Sequence, residues 1–437
     1  MKKNFLSFGI LAVLLSVVSC SDKDDAASQR VHSAHSDEKT FTNFVSGSTE
    51  TDRLQSRVPT DFAATGFYAL PNTVLKIKVE LVSGTQLPVL IIGTYSRYRD
   101  QNEGNAQEVK LNAGENIVEN ITYGGLLYIR MGGKSFSNKA KVNFISGHKK
   151  APYYKLGETT ETNWDEQLTT FADAPDVILE SERTMMVMSR AHALEYRLED
   201  QGEILKKADE IINWEDDISG LDGSLPVHER SVLKHLMTET DKEDPYMFAT
   251  NYRTAYNFKD GCEFPFTKKL YSKDGWGPWH EIGHMHQQTW TWSGLGEVTV
   301  NIYSLMVQRK LGFPSRLKTE KNWEKNMDVY FAKTVRDFNT DSDLGPFGRL
   351  CMFQQLWLVY GDTYFHKLHK ITREEKPAFA DSDAKMRYWM LTTCKITGND
   401  LTAFYKKWGL PAPAAVFDEI KSMNLPIPIV EPSTMRE

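Results

Sequence analysis

The stretch Trp276-Gly277-Pro278-Trp279-His280-Glu281-Ile282-Gly283-His284 decides how the rest of this chain is read. His280, Glu281 and His284 stand in the order H-E-x-x-H. A helix advances about 100° per residue, so imidazoles four positions apart differ by roughly 40° and one turn, and both can reach one ion. Proline is tolerated in a first helical turn, where its missing amide hydrogen costs nothing, and this predicts a helix starting near Gly277 or Pro278. Beyond it, Ser293-Gly294-Leu295-Gly296 is a break that lets the chain reverse. Glu297 then opens a second helix that can point a carboxylate back at the first.

Two imidazoles and one carboxylate with a fourth position left open form the ligand set of a hydrolytic zinc site; four protein ligands would mark a structural one. The spacing predicts one zinc ion on His280, His284 and Glu297, with Glu281 placed to polarise a metal-bound water. The competing reading is a partly buried histidine pair on an amphipathic helix. Asn301, one turn after Glu297, lies on the same face, where its amide oxygen can accept a ligand ring NH and fix the tautomer. The alternative there is an ordinary polar residue at a helix interface. His286 lies about 200° around the helix from His284 and is left out of the ligand set. Trp276, Trp279, Trp290 and Trp292 crowd the motif, either as a sugar-stacking platform or as packing. Packing is expected for at least two of them, because large aromatics are mostly buried.

Zinc held in this way would polarise a carbonyl, and Glu281 would act as general base and then acid. The reaction class is amide hydrolysis without a covalent intermediate. Tyr303, Tyr360 and Tyr364 are candidates to stabilise the oxyanion, with nothing in the sequence to choose among them.

The remainder of the chain supplies the frame. From residue 46 to 150 the pattern has period two, as in Leu75, Ile77, Val79 and Leu81, with turns at Asn112-Ala113-Gly114 and Tyr123-Gly124-Gly125. This predicts a β-sandwich, whose default role is to brace its neighbour. From 151 to 437 strands are expected at 175–179 and 184–188, and a helix at 198–214. Residues 246–258 are strand-like, either an edge strand that holds an extended peptide by main-chain pairing or a core strand. Helices follow at 297–311, 321–338, 346–369, 382–394, 399–408 and 413–423. Met185 to Met188 read as core filling. The fold class is α+β: a sandwich followed by a mostly helical domain with a small sheet.

Hydrophobic residues make up 41% of the 437-residue chain, enough for two cores. A net charge of −6 without a basic run argues against nucleic acid as a partner. Cys262, Cys351 and Cys394 allow at most one disulfide and are expected as small buried side chains. Residues 1–20 read as a signal sequence, with Lys2 and Lys3 before the apolar run Phe5 to Val18. A transmembrane helix is the alternative, but the run is short and Ser21-Asp22-Lys23-Asp24-Asp25 follows at once. Residues 21–45 are expected as a flexible linker in which His32 and His35 face solvent. Val17-Val18-Ser19-Cys20 resembles a bacterial lipobox, and the Lys-Asp-Asp after it resembles the export signal of Bacteroidetes-type surface lipoproteins. This implies an outer-membrane lipoprotein anchored through Cys20 and exposed at the cell surface.

The strings Trp279-His280-Glu281-Ile282-Gly283-His284 and Gly296-Glu297-Val298-Thr299-Val300-Asn301-Ile302-Tyr303-Ser304 resemble the enhancin-like, mucin-targeting gluzincin metallopeptidases, peptidase family M-sixty. Ala64-Thr65-Gly66-Phe67-Tyr68, Gly124-Gly125-Leu126-Leu127-Tyr128-Ile129 and Trp408-Gly409-Leu410-Pro411 extend the resemblance. It implies a secreted or surface endopeptidase that cleaves O-glycosylated proteins, with zinc on His280, His284 and Glu297 and catalysis by Glu281; the chain is expected to act as a monomer. Larger relatives often carry an added carbohydrate-binding module that is not recognisable here. A surface glycan- or mucin-binding lipoprotein with a structural or vestigial zinc site is the rival from another class, and a peptidase of non-glycosylated proteins is a third reading.

Overall fold

A computed structural model describes residues 36–56, 60–97, 106–133 and 137–437. The signal sequence, Cys20, His32 and His35 lie outside the described residues.

Alternation of apolar and polar side chains along Leu75–Ser83 buries Leu75, Ile77 and Val79 on one face. This strand sits in a four-stranded antiparallel sheet with Glu38–Thr42, Lys139–Ser146 and Gly114–Val118. A five-stranded antiparallel sheet, in the order His148–Lys150, Phe62–Ala69, Gly125–Arg130, Val89–Ile92 and Gln107–Lys110, packs on it. Phe67, Leu90, Leu127 and Ile129 from one sheet meet Ile77, Val79, Val142 and Phe144 from the other in a single core. The sandwich begins before residue 46. Residues expected as linker form the strand Glu38–Thr42, because pairing with Lys139–Ser146 buries Phe41.

The five-stranded sheet is covered on its other face as well. Phe62, Tyr68, Ile91 and Tyr128 pack on Tyr153, Ile178, Met185, Val187 and Leu236 of a six-stranded mixed sheet. That sheet runs Tyr153–Lys155, Asp176–Glu180, Thr184–Ser189, His235–Thr240, Arg253–Asn257 and Met247–Thr250. Met185 to Met188 are buried in it. Arg97 of the sandwich reaches across to Asp176 at 2.8 Å, Glu239 at 3.1 Å and Asp241 at 2.8 Å. The sandwich therefore braces the second half through both an apolar core and buried ion pairs.

Helices complete the α+β fold, and several differ from the sequence expectation for local reasons. Asp200 caps Gln201–Ile218 by accepting from the Glu203 amide. The stretch 246–258 is a hairpin. Tyr252, with φ of +72°, turns the edge strand Met247–Thr250 back onto the inner strand Arg253–Asn257. The stretch 346–369 is two helices, Gly345–Tyr360 and Asp362–Glu375, parted at Gly361, whose φ of +69° a side chain would strain. The stretch 321–338 is helical only to Phe331 and contains a π turn at Trp323–Asp328. Arg336 ends it by donating to the Phe331 and Lys333 carbonyls. The last helices span Ser382–Thr397, Thr402–Lys407 and Ala414–Ser422. Cys262, Cys351 and Cys394 are buried free thiols. Among the described residues no helix is long and apolar enough to cross a membrane.

Candidate metal centre

The helix Trp276–His284 carries the motif. Trp279 fixes it from beneath: its ring is fully buried and its Nε1–H donates to the Leu270 carbonyl at 2.7 Å. The expected second helix is two consecutive pieces, Gly296–Thr299 and Asn301–Lys310. Glu297 occupies the first turn. Gly283 sets how closely these pieces approach, since a Cβ there would lie 2.9 Å from the Val300 carbonyl oxygen and 3.1 Å from Val300 Cγ2. Gly283→Ala should cost about 1–3 kcal/mol by overpacking, read as a lowered urea midpoint.

This packing brings His280, His284 and Glu297 together. One ligand atom from each lies within 4.8 Å of the others. His280 Nε2 is 2.9 Å and His284 Nε2 3.6 Å from Glu297 Oε2, and the two rings stand 86° apart. A tetrahedral ion with zinc-like bond lengths needs edges of about 3.3–3.5 Å, so both histidine-to-carboxylate separations lie within a few tenths of an ångström of a zinc site. Glu297 is 69% exposed, against 17% for His280 and 10% for His284. The cluster thus opens to solvent on the carboxylate side.

Hydrogen bonds from both histidines hold the Glu297 carboxylate well below its usual range. Burial works against a charged His280 ring, but Glu297 and Glu281 outweigh it and raise its pKa. Glu281, next to His280, is buried at 8% exposure.

The outer ring nitrogens are also fixed. Asn301 Nδ2 donates to the Glu297 carbonyl at 2.9 Å, which turns its Oδ1 toward His280 Nδ1 at 2.8 Å. Gln287 does the same for the other ring. Its Nε2 donates to the Gly296 carbonyl at 2.6 Å and Thr299 Oγ1 at 2.9 Å, leaving Oε1 to accept from His284 Nδ1 at 2.7 Å. Both imidazoles then present the Nε2 lone pair inward. Gln287 was not legible in the sequence. The only available signal was its position three residues after His284, just past the end of the motif helix. Asn301→Ala and Gln287→Ala should each weaken zinc retention about 10–100-fold in a chelator competition, with little change in the stability of metal-free protein.

His286 points the other way, into Glu215 and Asp216 at 3.1 and 3.0 Å. Trp279, Trp290 and Trp292 are buried packing, while Trp276 lies partly exposed beneath the Arg316 guanidinium. The three tyrosines considered for the oxyanion are engaged elsewhere. Tyr303 Oη bonds the His286 carbonyl and His369, Tyr360 Oη donates to Asn399, and Tyr364 Oη pairs with Thr393. Burial raises the pKa of all three.

A groove of about 700 Å³ runs between the sandwich helix Gly47–Leu54 and the segment Gln287–Thr289, which includes the Gln287 that bonds His284. Ser48, Asp52, Asn251, Tyr252, Gln287 and Gln288 line it.

Comparison with known proteins places this geometry in context. The chain is similar to a conserved protein of unknown function from Bacillus anthracis str. Ames, 33% identical with a TM-score of 0.80, covering 92% of this chain and 81% of that one. It shares a fold with the M60 catalytic domain of Clostridium perfringens ZmpC solved with the sialyl T antigen, at 18% identity and a TM-score of 0.77 over 91% of this chain and 81% of that one. A TRPM8 channel-associated factor homolog of Danio rerio is 24% identical over 306 residues, 66% of this chain but 31% of that protein, so the chain spans about a third of that curated relative. The model for the N-terminal domain of M60-like peptidases matches residues 47–145, over the sandwich. Because the model described as peptidase M60, enhancin and enhancin-like matches residues 147–409, the chain belongs to that metallopeptidase family.

Proposed function

We propose that this protein is a zinc endopeptidase of O-glycosylated, mucin-like proteins. The observation that carries the reading is the convergence of His280, His284 and Glu297 on one point, with Glu281 buried beside it. When bound there, zinc supplies a Lewis acid that polarises a carbonyl and lowers the pKa of water toward neutrality. Asn301 and Gln287 hold the two imidazoles in the tautomer that offers Nε2. Glu281 takes the proton of the attacking water on its carboxylate and returns it to the departing amine. The buried Trp279 keeps the motif helix in place under these groups.

The edge strand Met247–Thr250 lies against the motif helix, close enough that a Cβ on Gly277 would sit 2.6 Å from Met247 Sδ. A substrate backbone laid along this edge would pass beside the cluster. Support for the glycan comes from the groove lined by Gln287, whose Ser48, Asp52 and Asn251 side chains and Tyr252 ring suit sugar hydroxyls and a sugar face. The structurally similar ZmpC domain was solved with the sialyl T antigen. On the sequence alone, the lipobox-like Cys20 supports action at the outer face of the outer membrane.

The test compares glycosylated and enzymatically deglycosylated mucin as substrates, with a chelated control. Cleavage of the glycosylated form alone, lost on chelation, is expected. Cleavage only after deglycosylation would overturn the glycan reading, and binding without cleavage would favour a lectin-like role.

A further inference from the structure

We propose that His192, Glu239 and Cys262 form a second metal site, separate from the first, that takes one divalent thiophilic cation of the zinc class. The three residues come from different elements that meet beside the six-stranded sheet. His192 lies in the helix Arg190–Glu195 that follows the strand Thr184–Ser189, Glu239 near the end of the strand His235–Thr240, and Cys262 just before the helix Glu263–Phe266. One ligand atom from each lies within 4.8 Å of the others, the same limit met by the cluster on the motif helix.

The separations approach those of a tetrahedral ion once the His192 ring turns. Cys262 Sγ is 3.7 Å from His192 Nδ1 and 3.9 Å from Nε2, whereas an ion on the Nδ1 lone pair needs sulfur about 3.6 Å from Nδ1 and well farther from Nε2, so the imidazole must rotate to present Nδ1. His192 Nδ1 is 2.9 Å from Glu239 Oε2, equal to the His280 to Glu297 separation at the first cluster, and must open by a similar few tenths. Glu239 is 2% exposed and Cys262 1%, while the His192 side chain at 20% leaves a way in. Thiolate with imidazole selects zinc over calcium or magnesium. Ser189 Oγ, 3.0 Å from His192 Nδ1, and Tyr196 Oη, 3.6 Å from the sulfur, lie beside the cluster.

Asp176, Glu239 and Asp241 all pair with the Arg97 guanidinium, so Glu239 belongs to a group of carboxylates gathered beside the site. Metal binding needs a bare Nδ1 and a thiolate, so any protons on those atoms are released as the ion enters. The site then ties three chain segments together across the sheet that carries the edge strand.

The test is a cobalt(II) titration of metal-free, full-length protein. Two equivalents should bind, one of them raising a thiolate-to-cobalt charge-transfer band in the near ultraviolet, which a site of two imidazoles and a carboxylate cannot give. The band should persist in Glu297→Gln and disappear in Cys262→Ser, with stoichiometry falling to one in each. A wild-type protein that binds one equivalent without the band overturns the proposal, and this readout stands even where Cys262→Ser does not fold. A band that survives Cys262→Ser, or is lost in Glu297→Gln, also overturns it.

Discussion

Glu281→Gln should lower peptidase turnover by about 10²–10⁴-fold, or roughly 3–5 kcal/mol of barrier, while zinc content stays at the wild-type level. The reason is positional. Glu281 is not among the three residues whose ligand atoms cluster, yet it adjoins His280, is buried, and acts electrostatically on that ring. The amide keeps the shape of the side chain and removes its ability to accept a proton. Turnover on a mucin-type glycoprotein, measured beside metal analysis of the same sample, separates loss of the base from loss of the ion. Unchanged turnover in the variant would remove Glu281 from the mechanism.

The second large effect is expected behind the motif. His286 sits between Glu215 and Asp216, all three buried, and Arg183 reaches the far oxygen of Asp216 at 2.8 Å. Burial disfavours a charged His286, but the two carboxylates outweigh it and hold its pKa up to about 9. Burial also opposes the Asp216 carboxylate, which His286 and Arg183 nevertheless hold down to about 2, whereas burial pushes Glu215 up to about 7. His286→Phe removes the cation shared by two buried acids and should destabilise the fold by about 3–5 kcal/mol. The pH dependence has a definite sign. A histidine raised in the folded state contributes its full stability below its unfolded pKa of about 6.5, and the contribution fades as pH rises through about 9. The wild type should therefore lose about 3 kcal/mol between pH 6.5 and pH 10 at this site, and the variant's profile should be flatter there. Urea unfolding at both pH values reads this directly. A loss under about 1 kcal/mol in the variant, with an unchanged profile, would contradict the buried-cation account.

Where chemistry depends on spacing within one or two helical turns, the sequence was informative. His280, His284, Glu297 and Asn301 follow from the 3.6-residue period and a glycine-marked break, and His286 is turned away by the same rule. Period two located the strand Leu75–Ser83 and its buried face. What stayed hidden depends on partners distant in sequence. Phe41 reads as part of a polar tether until Lys139–Ser146 covers it. Tyr303 looks available until His369, brought from another helix, takes its hydroxyl. Gly361 and Tyr252 turn the chain inside runs whose periodicity is otherwise unbroken. Cys262 and His192 meet only through the order of the strands.

In the proposed site two imidazoles and one carboxylate grip a single zinc ion with one side open to water. Anomalous diffraction at the zinc edge from zinc-loaded crystals tests it most directly. The account predicts a peak at bonding distance from His280 Nε2, His284 Nε2 and a Glu297 carboxylate oxygen, with solvent in the remaining position. No peak between these three residues, or a Glu297 side chain turned away from it, would contradict the account.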